Sequence, residues 1–409
     1  MAAARRALII GGSMAGLFAG HFLRRAGWRA DIFERTAGPL SARGAGIMTH
    51  PELRASLDTL GLETTRDFGV PIATRVVLDR NDDVVARLPF PQIATSWTRL
   101  HVLLAEVFPA EHYHTGADLI DIDETADHVV ARFADGRTAT GDILIGADGI
   151  RSTVRRALCL GSVPEYAGYI AWRGMLPEAD LAPPPYSELP AQFAFCLPEG
   201  EQMIGYLVAG GGNDLRPGHR NYNFVWYRPA DAQRELPAVL TDRTGAQHEL
   251  SIPPQLIAPA VTAAMRTHAG KVLAPWFQSV VARTAQPFLQ PIYDLAVPRM
   301  AAGRMALMGD AAFVVRPHVG GGVVKAAGDA EALASALGAA PTDLAAALAA
   351  YSDARCIVGH KMIAQARRLG SYLKYSYASE QERAAAAIAG TPQAVLRETA
   401  MLDFLRDPG

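Results

Sequence analysis

The chain has 409 residues, half of them apolar and a fifth charged, with a formal net charge of −2. That length suggests two or three domains, and that charge balance excludes nucleic acid or an anionic membrane surface as the expected partner. Three cysteines, Cys159, Cys196 and Cys356, are odd in number and far apart; they form neither a disulfide framework nor a metal-binding spacing and point to a reducing cytoplasm.

The opening "MAAARRALIIGGS" has too short an apolar run for a signal peptide, and no stretch reaches the ~18 apolar residues of a membrane span. Ala7 to Ile10 reads as a buried parallel strand. Gly11-Gly12 break the run. Leu17, Phe18, His21, Phe22, Leu23 and Ala26 then recur at helical spacing up to Gly27, and Ala30 to Phe33 reads as a second strand closed by Glu34. This is a complete βαβ unit with Gly11, Ser13 and Gly16 at the three places of a G-x-G-x-x-G turn. The outer glycines serve the tight turn and close helix packing. Ser13, in the middle place, adds a hydroxyl able to donate to a phosphate. With Ala15 they form the expected dinucleotide-facing turn. Glu34 stands where a carboxylate accepts from ribose hydroxyls and repels a 2′-phosphate, and the neighbouring Arg35 is expected near adenine.

"RGAGIMTHPEL" is glycine-rich, then helix-forming through about Leu60. Arg75 to Leu88 alternate as two strands around Asn81-Asp82-Asp83, and "SWTRLHVLLAEVF" is an amphipathic helix with Ser96 as its N-cap. His112 and His114 in "EHYHTG" lack a third ligand and read as an adenosine-side loop. A hairpin turns at Asp135-Gly136 and leads into a buried strand ending at Gly146. From about Tyr166 to Pro291 the chain becomes aromatic and β-like. The α/β pattern returns near Arg304, and an alanine-rich helical tail runs from about Val324, broken near Pro341 and Pro392.

Two further strand–turn–helix motifs follow the first: "ILIGADGIRSTVRR", turning at Asp148-Gly149, and "GRMALMGDAAFVVRPHVGGGVVKAAGDAEALASAL", turning at Gly309-Asp310. In this order the three resemble the FAD-dependent aromatic hydroxylases of the para-hydroxybenzoate hydroxylase class. "GGS", "YHT", "AGYIAWRG" and "RPH" resemble the subgroup acting on 2,6-dihydroxypyridine-like rings. The resemblance implies an α/β fold: a Rossmann-like FAD domain of glutathione-reductase type (1–71, 96–165, 292–340), an inserted β-sheet substrate domain (72–95, 166–291) and a C-terminal helical segment (341–409). It implies that Asp310 bonds the ribityl chain and that Asp148 supports the cofactor-facing turn. Arg43 and Arg99 are implied near the FAD phosphates, and Gly320, Gly321 and Gly322 present N–H groups to the isoalloxazine.

The activity implied is hydroxylation of an electron-rich hydroxylated aromatic or N-heterocyclic ring through a flavin C4a-hydroperoxide, with NADH or NADPH as transient reductant and O2 as co-substrate. His318 is the candidate to orient or deprotonate the ring, with a pKa suited to that work, and His50 a second candidate. Tyr169, Arg173, Tyr206 and Tyr222 are candidate substrate contacts, with plain core packing as the alternative. The C-terminal helices read as a docked cap, with a homodimer contact as the alternative. A non-hydroxylating FAD protein of the same fold, an isoprenoid-type reductase or a redox sensor, stays open; the halogenase pattern W-x-W-x-I-P is absent.

Overall fold

The computed structural model describes residues 4–38, 40, 46–62, 64, 68–159, 161–374 and 376–406. Its first layer is a six-stranded sheet in the order Ala301–Ala302, Met305–Leu307, Ile143–Gly146, Arg6–Ile10, Arg29–Phe33, Tyr113–His114. All neighbours are parallel except the first pair. Strand Arg6–Ile10 is central, and its Ala7, Leu8 and Ile9 are fully buried, as a strand covered on both faces requires. Helix Met14–Arg25 returns the chain between the first two parallel strands and packs against helix Gly322–Ala339. A three-stranded antiparallel sheet, Leu119–Glu124, Val129–Phe133 and Thr138–Gly141, leads into Ile143–Gly146; its expected turn at Asp135-Gly136 is present, with Gly136 at φ +86°.

The second layer is a nine-stranded sheet in the order Phe313–Val314, Phe288–Ala296, Glu165–Pro177, Asn221–Pro229, Gln202–Val208, Phe193–Cys196, Val70–Leu78, Val84–Ser96, Gly46–Met48. The hairpin around Asn81-Asp82-Asp83 is there, but its second strand runs on to Ser96. Pro89 and Pro91 are tolerated because Gly46–Met48 pairs only with Ala94–Ser96, leaving one edge open beside them. The two outermost strands come from stretches the sequence places with the dinucleotide layer, so the two layers interleave at both edges.

Alternation divides this sheet's faces. Trp172, Tyr222, Phe224 and Trp226 pack against helices Pro259–Val272 and Pro275–Arg283. Tyr169, Ala171, Phe193, Tyr206 and Tyr227 face the other way, toward the C-terminal helices. Those helices are Glu380–Ala389 and Pro392–Glu398; the longer helix Leu344–Leu369 before them packs against Gly322–Ala339. The tail breaks near Pro392 as expected, and Pro392 itself opens the next helix: it follows the capping Thr391, whose hydroxyl accepts from Ala394 N, at a position where its missing N–H costs nothing.

Candidate active site

A crevice lies at the carboxyl ends of strands Arg6–Ile10 and Ile143–Gly146, the place where a doubly wound sheet takes its ligand. Gly11 turns there at φ +107°, and its N–H donates to Phe33 O at 2.9 Å. A Cβ at Gly16 would lie 1.8 Å from Gly11 O, so helix and turn touch backbone to backbone. Ser13 is the N-cap residue of helix Met14–Arg25, yet its hydroxyl makes no capping bond and lines the crevice with Ala15. No acid in the first helical turn neutralises the N-terminal partial charge. The Glu34 carboxylate is buried beside this turn and accepts from Gly12 N and Thr36 N, both at 2.8 Å. Arg35 is exposed at the crevice rim. Tyr113, which sequence reasoning missed, donates to Gly12 O at 2.8 Å. His112 Nδ1 hydrogen-bonds Asp31 Oδ1 at 2.7 Å on the neighbouring strand, and His114 stands 3.6 Å from the same oxygen.

Asp148 accepts from Thr153 N at 2.7 Å, but its Oδ1 is buried without a partner, and burial pushes its pKa up against the hydrogen bonds that pull it down. Arg99 sits in the first turn of helix Trp97–Glu106, capped by Ser96, with its Nε buried and unpartnered. Arg43 lies outside the described residues.

The third motif supplies the opposite wall. Gly309, at φ +57°, donates its N–H to Asp329 Oδ2 at 2.9 Å. Asp329 is held in turn by Arg355 at 2.7 Å and by Lys325 at 3.6 Å. Neither Lys325 nor Asp329 was singled out in the sequence, although their i, i+4 spacing on the motif's helix was a readable signal. Asp310 is exposed on the crevice wall; desolvation by the protein packed around it raises its pKa, Lys325 lowers it and Asp329 raises it again. Gly320, at φ +62°, and Gly321 lead into helix Gly322–Ala339, whose first turn also carries no acid.

Past this loop the crevice is continuous with a cleft, and the joined space, from Ser13 and Asp310 to the nine-stranded sheet, measures about 400 Å³. Phe193, Ile204, Tyr206, Val225, Tyr227 and Arg173 form its sheet-side wall. Tyr206 stacks on Phe193 with centroids 4.8 Å apart, and Arg173 donates to Gln290 Oε1 at 2.9 Å. Four expectations change here. Tyr222 belongs to the opposite face of the sheet, where it packs edge-on against Trp276, so it is not a substrate contact. Tyr169 stands behind His318 instead of in the cleft, its hydroxyl 2.8 Å from His318 Nε2. His318 does line the cleft, but it is 2% exposed, and burial, reinforced by nearby Arg316, drives its pKa down to about 3. It is therefore a neutral hydrogen-bonding group and not a base poised near neutral pH. His50 binds Gly320 O at 3.2 Å from behind the loop and lines a second cavity, so it is placed to support the loop and not to touch a ring.

A profile of the family described as FAD binding domain-like matches residues 166–294. The chain is 32% identical over 371 residues to the 2,6-dihydroxypyridine 3-monooxygenase of Paenarthrobacter nicotinovorans, covering 90% of this chain and 92% of that one. The chain belongs to the FAD-dependent aromatic monooxygenases. To the 3-amino-4-hydroxybenzoate 2-monooxygenase of Streptomyces cremeus it is 30% identical, over 89% of this chain and 86% of that one. The solved structure of 2,6-dihydroxypyridine-3-hydroxylase from Arthrobacter nicotinovorans superposes with a TM-score of 0.82 at 30% identity, over 93% and 96% of the two chains.

The crevice fits the cofactor of this monooxygenase family. It offers two helix N-termini with no acid in their first turns, a glycine turn without room for a side chain, an orphaned Asp148 oxygen and an Asp310 carboxylate on the wall between them. Among the described residues, no helix is long and apolar enough to cross a membrane.

The neutral His318 also gives the monooxygenase a pH signature. The folded protein takes up this proton only near pH 3, whereas the ordinary value is 6.5. Stability is therefore fully present above about pH 6.5 and declines as pH falls toward 3, where the unfolded chain binds more protons. The lowered pKa values of His21, His50 and His101, each chiefly from burial, act in the same direction. His318→Asn should reduce this slope by up to about 1.4 kcal/mol per pH unit, read by urea unfolding at stepped pH. An identical slope in both proteins would mean that His318 is not held neutral.

Proposed function

We propose that the protein hydroxylates an electron-rich, hydroxylated aromatic or N-heterocyclic ring of the 2,6-dihydroxypyridine type, consuming NADH or NADPH and O2. The ring gains one oxygen as a hydroxyl, the other leaves as water, and the nicotinamide is oxidised. The observation that carries this reading is the cleft itself: aromatic walls from Phe193, Tyr206 and Tyr227, with Arg173 and a neutral His318, beside the Gly320–Gly322 loop. The named activity of the 32% identical relative supports the same class of ring.

When bound, FAD supplies hydride acceptance and oxygen activation. The residues that would hold it are Gly11, Ser13, Ala15, Gly16 and Glu34 on the dinucleotide side, with Arg35 at the rim, Asp148 beside the turn and Arg99 in the first turn of helix Trp97–Glu106, whose Trp97 lines the crevice. Gly309, Asp310 and Gly320 to Gly322 would hold the flavin side. The chain's own contribution at the ring is orientation. Arg173 favours an oxygen carrying negative charge. His318, steadied by Tyr169 at 2.8 Å, presents a fixed ring edge to a substrate oxygen. The Arg316 guanidinium stands 5.5 Å over the Tyr169 ring and pairs with Asp294 through two bonds of 2.8 and 2.9 Å, so this support is itself rigid.

Asp310→Ala should weaken FAD binding about tenfold or more, because a hydrogen bond to a charged acceptor contributes roughly 1.5–3 kcal/mol. Titration of the apoprotein with FAD measures this, and unchanged affinity removes Asp310 from the ribityl site. The function is tested by rapid mixing of the flavin-loaded protein with NADH or NADPH and a panel of hydroxylated pyridines and phenols. A ring that accelerates flavin bleaching supports the reading; bleaching indifferent to every ring points instead to a non-hydroxylating flavoprotein.

A further inference from the structure

Beside the cleft lies a second, larger cavity of about 1000 Å³, open to the surface. Pro71, Ile72, Phe90 and Ile93 give it apolar walls, while Arg54 and Gln92 place polar groups on it. Met48 and Ala400 line both spaces, so one layer of side chains separates the cavity from the ring cleft.

That wall is hung from the C-terminal segment by specific bonds. Arg75, fully buried on strand Val70–Leu78, donates to Leu396 O at 2.9 Å and to Thr399 O at 2.7 Å. Its other terminal nitrogen donates to Gln92 Oε1 at 2.8 Å. Ala400 N donates to His318 O at 2.7 Å. Ala400 itself sits at φ +54°, a left-handed conformation normally given to glycine after a helix end. Beyond it, Arg406 pairs with Glu52 at 2.5 Å, tying the segment to helix Pro51–Thr59 on the cavity's other side.

We propose that this cavity is the entrance vestibule for the ring substrate and that Met48 and Ala400 form its gate. The inference rests on the proposed function. FAD in the crevice would fill the approach along Ser13 and Gly309, and the nine-stranded sheet closes the wall behind the ring. The Met48–Ala400 layer is the thin side. An apolar chamber with hydrogen-bonding groups suits a small planar molecule that carries hydroxyls. A small residue at the gate leaves the narrowest barrier, and its left-handed backbone marks the place where the segment is strained. His50 gains a role here: it lines the vestibule while holding the Gly320 carbonyl, and so joins the gate to the loop beside the ring.

The test uses the flavin-loaded full chain and 2,6-dihydroxypyridine, with binding followed by the change in flavin absorbance after rapid mixing. Ala55 and Ala73 are exposed residues lining the vestibule, outside the cleft. The double variant Ala55→Trp/Ala73→Trp narrows the vestibule without touching the cleft. A blocked passage slows entry and exit alike, so association and dissociation rates should both fall about tenfold while the Kd changes less than about twofold. The rate of flavin reduction at saturating ring should be unchanged. Ala400→Gly, which removes the gate's side chain, should raise both binding rates. Unaltered association in the tryptophan variant, or a weaker Kd with unaltered association, overturns the vestibule. A wild-type flavin that responds to no ring of the panel overturns the function reading and the vestibule with it.

Discussion

Gly11→Val should yield a folded protein without FAD. A Cβ at this position would lie 2.4 Å from Ala147 O and 2.7 Å from Ala147 C, which are backbone atoms at the end of a central strand and cannot move aside. The same residue sits at φ +107°, where a β-branched side chain is strained whatever the space. The turn must open, and the start of helix Met14–Arg25, with Ser13 and Ala15 on the crevice wall, moves with it. Gly27→Ala is the matched control: it also has positive φ, +84°, but a Cβ there meets nothing within 4 Å. It should cost some stability and keep the flavin. The ratio of flavin to protein absorbance after purification, with circular dichroism to verify folding, separates the two. Stoichiometric FAD in Gly11→Val would remove this turn from the cofactor site.

His318→Ala should retain FAD yet lose roughly tenfold to a hundredfold in coupled hydroxylation, the range expected when one or two hydrogen bonds to a reacting ring are lost. The His318 ring lies 4.5 Å from Tyr227 and is fixed at Nε2 by Tyr169. Removing it leaves the substrate oxygen without its positioned partner and opens a void beside the ring. NAD(P)H oxidation should continue, with a larger share of its electrons appearing as hydrogen peroxide. Tyr169→Phe should give a smaller effect in the same direction, because the imidazole remains but is no longer oriented. Oxygen uptake with and without catalase measures the split. Full coupling in His318→Ala would place the ring elsewhere.

The dinucleotide half of the site was legible because its signals are local. A buried strand, a glycine turn, a helix and a terminal acid lie within the stretch from Ala7 to Glu34, and each part constrains the next. The Gly309-Asp310 turn was legible for the same reason. The ring half was not, because alternation within a strand states that two faces exist without saying which one meets the crevice. That choice is made by helices Pro259–Val272 and Pro275–Arg283, which cover one face. Once Trp172 is known to face those helices, register does the rest. Trp172 pairs with Trp226, which pairs with Met203, and these three share the covered face; Arg173, Val225 and Ile204 therefore point to the cleft. Tyr222 was misplaced for want of that parity. His318 was found by its place in the motif, but its depressed pKa comes from complete burial against strands distant in sequence, which no local pattern records. The C-terminal contribution was equally hidden: Ala400 reaches the cleft only because Arg75, far away in the chain, grips the carbonyls before it.

The most direct test of the account is hydroxylation under oxygen-18 gas, with 2,6-dihydroxypyridine, FAD-loaded protein and NADH or NADPH. One labelled oxygen atom should appear in a new ring hydroxyl for each nicotinamide oxidised in the coupled reaction. Nicotinamide oxidation that yields only hydrogen peroxide, or a product whose new oxygen comes from water, would contradict it.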